Sequence, residues 1–421
     1  GAIYAMGVVD IKGATFTSNS ALKDGGAIYS TSDKEFDYNA HDKISEFDFS
    51  SLQPNDYGYF YEYGADMDFD VIIKGSTNYV NETTNETITG MPVTFNKNTA
   101  KGDGGAILGN KIYVEGATFT SNKSSGNGGA ICANSDIVVN PFAFTRDDNG
   151  SVPNSVFTSN SAVNGGAIYA GGTSLIKNAN FTSNKASNRG GAVYAGDDTL
   201  IVGSNFSKNS AAYGGALYLA EGKTAYIINS SFTGNKASKQ GGAIYADKNS
   251  KMYIMAYANG KDVNVNISGN KAGNKTNSIY MNEGSSLYIH AINYAGGKAN
   301  VYIDHIDGGH NENTRVYIRT NAGGKVNLKT AVNLTWHDDN DDDGKHEQGS
   351  AELKGDLALV AENLVQSCSF YLSGTRVRID NNSISTLSLK TLSLADNTTS
   401  YAAIDMDLKS RTSDKIQAEH V

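Results

Sequence analysis

The stretch FTSNKASNRGGAVYAG, residues 181–196, decides how this chain folds, because close copies of it recur along more than half of the sequence. Gly-Gly-Ala followed by Ile, Val or Leu occurs seven times, with first glycines at Gly25, Gly104, Gly128, Gly165, Gly190, Gly214 and Gly241. Phe-x-x-Asn also occurs seven times, at Phe16, Phe95, Phe119, Phe157, Phe181, Phe206 and Phe232, each shortly before a Gly pair. The steps from Gly104 to Gly128 and from Gly165 through Gly190 and Gly214 to Gly241 set a basic unit of roughly 24–27 residues. Insertions lengthen the steps from Gly25 to Gly104 and from Gly128 to Gly165. Repeats of this period signal a solenoid, in which each unit buries its apolar face against the next.

Between these marks lie short β-branched and aromatic segments, such as GGAVYA (190–195) and TLIVGSNF (199–206), each bounded by turn residues. They are too short for helices and have the alternation of strands. Two or three such strands per unit predict one rung of a parallel β-helix, with rungs stacked about 4.8 Å apart. Forty-six glycines against four prolines suit a chain that needs many sharp turns and nearly every backbone N–H for ladder bonds.

Each mark in the repeat has an expected task. Phe and the residue after Gly-Gly-Ala point inward and stack on their copies. Asn160, Asn184, Asn209 and Asn235 sit where the chain turns, each amide bonding its equivalents above and below. The Gly pair provides a corner with positive φ and lets rungs approach closely. Alternation turns the following Tyr outward, giving an exposed ladder of Tyr169, Tyr194, Tyr218 and Tyr245 that either stiffens the sheet or binds glycans. Cys132 occupies the same slot and is expected to be an outward, isolated thiol.

The paired motif, repeated in phase, resembles the chlamydial polymorphic outer membrane proteins over residues 1–270. That resemblance implies a surface-exposed right-handed parallel β-helix, the exported passenger of an autotransporter acting as an adhesin, without implying the organism. The segment YAAIDMDLKSRTSDKIQ (401–417) is similar to the last passenger rungs of autotransporters. Membrane attachment is expected only through a translocator β-barrel, which this chain does not include. The expected partners are a host-cell protein or glycan, or a like neighbour, with the chain at the bacterial cell surface or secreted.

The resulting expectation is an all-β chain. Residues 1–277 form the repeat helix with an acidic aromatic insertion at about 31–90, and residues 278–421 form irregular rungs and a C-terminal cap. Residues 31–70 carry eleven acids against Lys34 and Lys43, and YGYFYEYG (57–64) supplies Tyr57, Tyr59, Phe60, Tyr61 and Tyr63 as candidate contacts. Such excursions from a solenoid either bind partners or pack as lids. The formal net charge of −9 gives nucleic-acid binding no electrostatic footing.

Two cysteines in distant parts of the chain, Cys132 and Cys368, exclude a disulfide framework. In DNDDDGKHEQGS (339–350), Asp339, Asp341 and Asp343 precede Gly344, and Glu347 takes the ninth position of a calcium-type loop. Ser350 stands where the bidentate Glu belongs, so a weak calcium site and a solvated acidic loop both remain open. Asp304, His305, Asp307 and His310 read as turn and strand residues more than as a metal or acid–base cluster. The enzymatic alternative is a β-helix polysaccharide lyase or glycoside hydrolase, which would need carboxylates on successive rungs. The acids between residues 91 and 246 do not recur at one phase of the repeat, so no catalytic residue is assigned.

Overall fold

The computed structural model describes residues 1–31, 69–75, 90–140, 153–293 and 296–308, together with Val316; outside these ranges it gives only strand segments. Every regular element is a β-strand. The chain divides into two compact units, Gly1–Leu219 and Ala220–Val421.

In the first unit each rung contributes four strands, more than the two or three read from the sequence. The first column holds the residues after Gly-Gly-Ala: Ile28–Ser30, Ile107–Gly109, Ile131–Ala133, Ile168–Ala170, Val193–Ala195 and Leu217–Leu219. These pair parallel with Ile28, Ile107, Ile131, Ile168, Val193 and Leu217 in one register, and all six are fully buried. A second column runs through Val71–Lys74, Ile112–Glu115, Ile137–Val139, Ser174–Lys177 and Thr199–Val202. The third carries the phenylalanines, for example Ala117–Thr120 and Ala179–Thr182. The fourth follows the asparagines, for example Lys123–Ser124 and Lys185–Arg189. Rungs pair parallel in every column, which is the arrangement of a parallel β-helix.

The interior is ordered by identical residues meeting their copies. Phe16, Phe95, Phe119, Phe157, Phe181 and Phe206 stack in succession with centroids 4.6–4.9 Å apart and planes within 7°. All but Phe16 are completely buried. The rung spacing coincides with a comfortable ring-stacking distance, so a parallel helix gains aromatic contact without any shift of register.

The long interval between Gly25 and Gly104 leaves the helix twice, not once. Residues 32–68 separate the strand Ile28–Ser30 from the next strand of its rung in the sequence. The chain then returns as Val71–Lys74, which pairs with Val9–Lys12 on one side and Ile112–Glu115 on the other. It leaves again before Val93–Asn96, through a segment that includes the antiparallel pair Tyr79–Val80 and Thr87–Ile88. Val71 and Ile73 are fully buried, so the expected insertion at about 31–90 contains a core rung strand in its middle.

In the second unit the strands lengthen, from Thr224–Ile228 to Lys251–Ala258, Ser286–Asn293 and Ala299–Gly308. Ala299–Gly308 pairs with two earlier strands at once, Val263–Ser268 through its first half and Ile279–Met281 through its second. Parallel pairing continues to the last strand, Lys415–His420 against Thr386–Ala395. The side chains of the expected cap lie outside the described residues.

Candidate binding surfaces

The asparagine corner is satisfied at every hydrogen-bonding group of its side chain. Asn184 Oδ1 accepts from both the backbone N–H and Nδ2 of Asn160, each at 3.0 Å. Its own N–H and Nδ2 donate to Asn209 Oδ1 at 2.9 and 3.0 Å. The second hydrogen on Nδ2 goes back to the carbonyl of Phe157 at 2.9 Å. Two donors and two acceptor sites are the whole capacity of a primary amide, and all are used. The same pattern joins Asn98 to Asn122 and Asn122 to Asn160. In the second unit it joins Asn235 to Asn270.

The residue before each Asn, rather than the Asn itself, takes the left-handed conformation: Ser121, Ser159 and Ser183 have φ of 55–57°. The two glycines of the pair have different tasks. Gly190 has φ 64° and turns the chain. At Gly191 a Cβ would collide with the Gly215 carbonyl oxygen and lie 2.7 Å from backbone atoms of Ser210 in the next rung. Only hydrogen fits there without forcing the rungs apart.

The tyrosine slot is less open than alternation alone suggests. Tyr169 and Tyr194 are half-buried and stack at 4.7 Å, and Tyr194 stacks on Tyr218 at 5.2 Å. Tyr218 and Tyr245 are buried at 2% and 7% exposure, which corrects the expectation of an exposed ladder. The Arg189 guanidinium lies 4.9 Å from the centre of the Tyr218 ring and covers it. Tyr245 is stacked on Tyr280 at 5.3 Å, and its hydroxyl accepts from Asn282 Nδ2.

Cys132 departs from expectation in the same way. It occupies the tyrosine register, between Leu108 and Tyr169, but is 1% exposed. A short side chain between two taller neighbours is hidden even on the outer side of a strand. Burial, reinforced by Asp103 and Asp24, pushes its thiol well above the ordinary range. It is therefore a poor nucleophile. Burial also raises the Tyr169 phenol.

Sequence reasoning missed one carboxylate pair. Asp24 and Asp103 both immediately precede a Gly pair and take the same place on successive rungs, although they are far apart in the chain. The D-G-G triplet common to both was the available signal. Each caps the next rung: Asp24 Oδ1 accepts from Asp103 N at 2.8 Å, and Asp103 Oδ1 accepts from Asn127 N at 2.5 Å. A second charged set is internal. Asp70 accepts from the backbone of Asn110 and Lys111, Asp136 from Thr173 N, and the buried Lys111 ammonium lies 3.8 Å from Asp136. Burial on this scale ties all three to the turn between the first and second columns.

Asp304 and His305 are divided between the two faces of their strand. Asp304 is buried and accepts from Gly269 N at 2.7 Å and from the Ser278 hydroxyl. Asn270 Nδ2 donates to the same Ser278 oxygen, so this relay closes the amide ladder of the second unit. His305 is half-buried, and that burial outweighs its two neighbouring aspartates and lowers its pKa. Asp307 accepts from Asn277 Nδ2 at 2.9 Å. No group of three potential metal ligands occurs among the described residues. His310, the calcium-type residues Asp339, Asp341, Asp343 and Glu347, and the aromatic set Tyr57, Tyr59, Phe60, Tyr61 and Tyr63 lie outside the described residues.

Comparison with curated proteins and with solved structures gives no match. Comparison with protein families matches the Chlamydia polymorphic membrane protein repeat at residues 13–31, 92–110, 116–134, 154–171, 178–196 and 229–247. Each matched segment runs from the third-column Phe, through the asparagine corner and the Gly pair, to the first-column strand. Over these six segments the chain is thus similar to the Chlamydia polymorphic membrane protein repeat, and the matched residues supply most of the amide ladder and of the stacked aromatic core.

Proposed function

We propose that the chain is the exported passenger of an autotransporter-like surface protein, a β-helical scaffold that holds binding segments clear of the cell. The observation that carries this reading is the complete structural use of the repeat. Phe, Asn and both glycines are committed to stacking, ladder bonds and close rung contact, leaving no reactive group in the motif itself. The matched repeat supports placement at the outer membrane or cell surface. Contact with a host-cell protein, a glycan or a like neighbour then falls to the outward faces and to the departures from the rung, foremost residues 32–68 with their acids and aromatics.

The test is binding of the purified chain to host cells and to a glycan array, before and after residues 32–68 are replaced by a short Gly-Ser linker. Val71–Lys74 must be kept, because that strand completes a rung. Loss of cell binding with an unchanged melting temperature is the expected result. Equal binding by the two proteins would move the contact off this segment.

The polysaccharide-enzyme reading rests on Asp24 and Asp103, a carboxylate pair on successive rungs at an equivalent place. Each carboxylate already engages a backbone N–H through one oxygen, which suits a capping role. Glycan cleavage that disappeared in the Asp24→Asn, Asp103→Asn double variant would establish catalysis in place of display.

A further inference from the structure

The chain is acidic, yet among the described residues the third and fourth columns of the first unit carry more cations than acids. Along the third and fourth columns, over residues 15–24, 93–103, 117–127, 155–164, 179–189 and 205–213, seven Lys or Arg stand against two acids, Asp24 and Asp103, each of which accepts from a backbone N–H of the next rung. Lys97, Lys123, Lys185 and Lys208 flank the asparagine corner on four different rungs, and all are exposed. Their ammonium groups make no ion pair or hydrogen bond among the described residues. Lys97 and Lys208 hold the left-handed position just before the ladder Asn, with φ of 55° and 56°. Lys123 and Lys185 directly follow theirs and occupy one register row, two rungs apart. From the rung of Lys97 to that of Lys208 is four steps, or about 19 Å at the interstrand spacing.

Beside this row the third column presents an uncharged face. The outward position after each Phe forms one line in register: Thr17, Asn96, Thr120, Thr158, Thr182 and Ser207. Each is a hydroxyl or amide that reaches solvent, and each can both donate and accept hydrogen bonds. Thr182 and Ser207 already lie 3.2 Å apart, so neighbouring rungs present their groups within reach of one ligand. The surface is thus a strip of donor–acceptor groups, one per rung, edged by exposed lysines.

We propose that this strip binds an anionic polysaccharide laid along the stacking direction. Sugar hydroxyls would bond the Thr/Asn/Ser line, and sulfate or carboxylate groups would face the lysine row. A neutral glycan would leave the lysines unused. A nucleic acid would call for exposed aromatic rings to take its bases, and the third-column strands present none, their phenylalanines being interior. The inference builds on the reading of the chain as a binding scaffold and names a ligand class for one of its faces.

The measurement is retention of the intact chain on immobilised heparin, used as a sulfated polysaccharide probe, at low and rising salt. Exposed ion pairs are individually weak, so four together are expected to give salt-labile binding. The variant Lys97→Gln, Lys123→Gln, Lys185→Gln, Lys208→Gln should lose at least about tenfold in affinity. The corresponding four Lys→Arg replacements should retain binding. Replacing Lys251 and Lys261, exposed lysines of the second unit, by Gln should leave it unchanged. At constant charge, Thr120→Val, Thr158→Val, Thr182→Val should lose severalfold on heparin and nothing on polyphosphate.

The proposal is overturned if the wild-type chain passes through unretained, if the Gln variant binds as well while melting normally, or if duplex DNA competes as strongly as heparin. An unchanged affinity in the Val variant would also overturn it, leaving only a generic cation exchanger. Binding to cells without binding to heparin would sink this inference alone. Binding to heparin by a chain that ignores cells would instead count against the display reading.

Discussion

The rungs of the first unit and the distal rungs of the second solve the same stacking problem in different ways. In the first, corners are made by fixed chemistry. A left-handed Ser or Lys precedes an amide that bonds three neighbours, and a Gly pair closes the fourth strand back onto the first. In the second, these devices run out. The amide ladder passes from Asn270 through Ser278 to Asp304, and Lys271–Ala272 folds back on Lys275–Thr276 as an antiparallel pair. The next rung then has no fourth column. Ala299–Gly308 runs straight from the position of Val263–Ser268 to that of Ile279–Met281. The motif therefore specifies a corner, and with it the number of sides; the strand stacking itself survives the loss of the motif.

The largest expected effect sharpens that contrast at the core. Phe181→Ala removes a fully buried ring stacked on both sides, and a loss of about 3–5 kcal/mol in denaturant unfolding is expected. Ile267→Ala, at the residue that continues the phenylalanine register in the second unit, should cost about 2–4 kcal/mol. If the two losses proved equal, stacked phenylalanines would add nothing beyond ordinary apolar burial.

Asn184→Ala comes next. It strands the N–H and one amide hydrogen of Asn160, along with the Phe157 carbonyl, and about 2–4 kcal/mol should be lost. Because Asn160 and Asn184 are direct partners, the double Ala variant should fall short of the sum of the singles. Ser278→Ala breaks a relay whose members keep other bonds, to Phe232 and Gly269, and roughly 1–2 kcal/mol is expected. A strictly additive double variant would mean that the ladder is a set of independent pairs.

A kinetic difference tests the outer slots. In a Cys368→Ser background, maleimide labelling of Cys132 should be at least about 100-fold slower in the native protein than in denaturant. Fast native labelling would restore an open outer groove.

The smallest effect concerns pH. Burial lowers the His305 pKa, so between its unfolded value near ~6.5 and the lower folded value the unfolded chain binds the extra proton. Stability should accordingly fall modestly as pH drops through that window. His305→Asn should flatten this part of the profile, and an identical slope in the variant would remove His305 as its source.

Much of this was legible in the residues. The period gave the rung length, the paired motifs gave the inward Phe and Ile columns, and the long step from Gly25 to Gly104 marked a departure. Strand count was less accessible, because a fourth-column strand such as Lys185–Arg189 is polar and carries only small Ala residues inward. The excursion also hid a rung strand, since Val71–Lys74 is short and has no motif beside it. At Tyr218 and Cys132 alternation specified the side of the strand correctly and the exposure wrongly. Facing is a local property of the backbone, whereas burial depends on Arg189, Leu108 and other neighbours brought in from other rungs.

The sequence alone determined the solenoid, because a rung is specified by residues close together in the chain and each copy repeats the instruction. Tertiary structure decided what the rungs bring together. Asp24 meets Asp103 from a distant part of the chain, the amide ladder of the second unit ends on Asp304, and lysines scattered from 97 to 208 line one edge of the first unit. Those meetings depend on which rung each residue reaches, and the insertions shift that count without leaving any local mark.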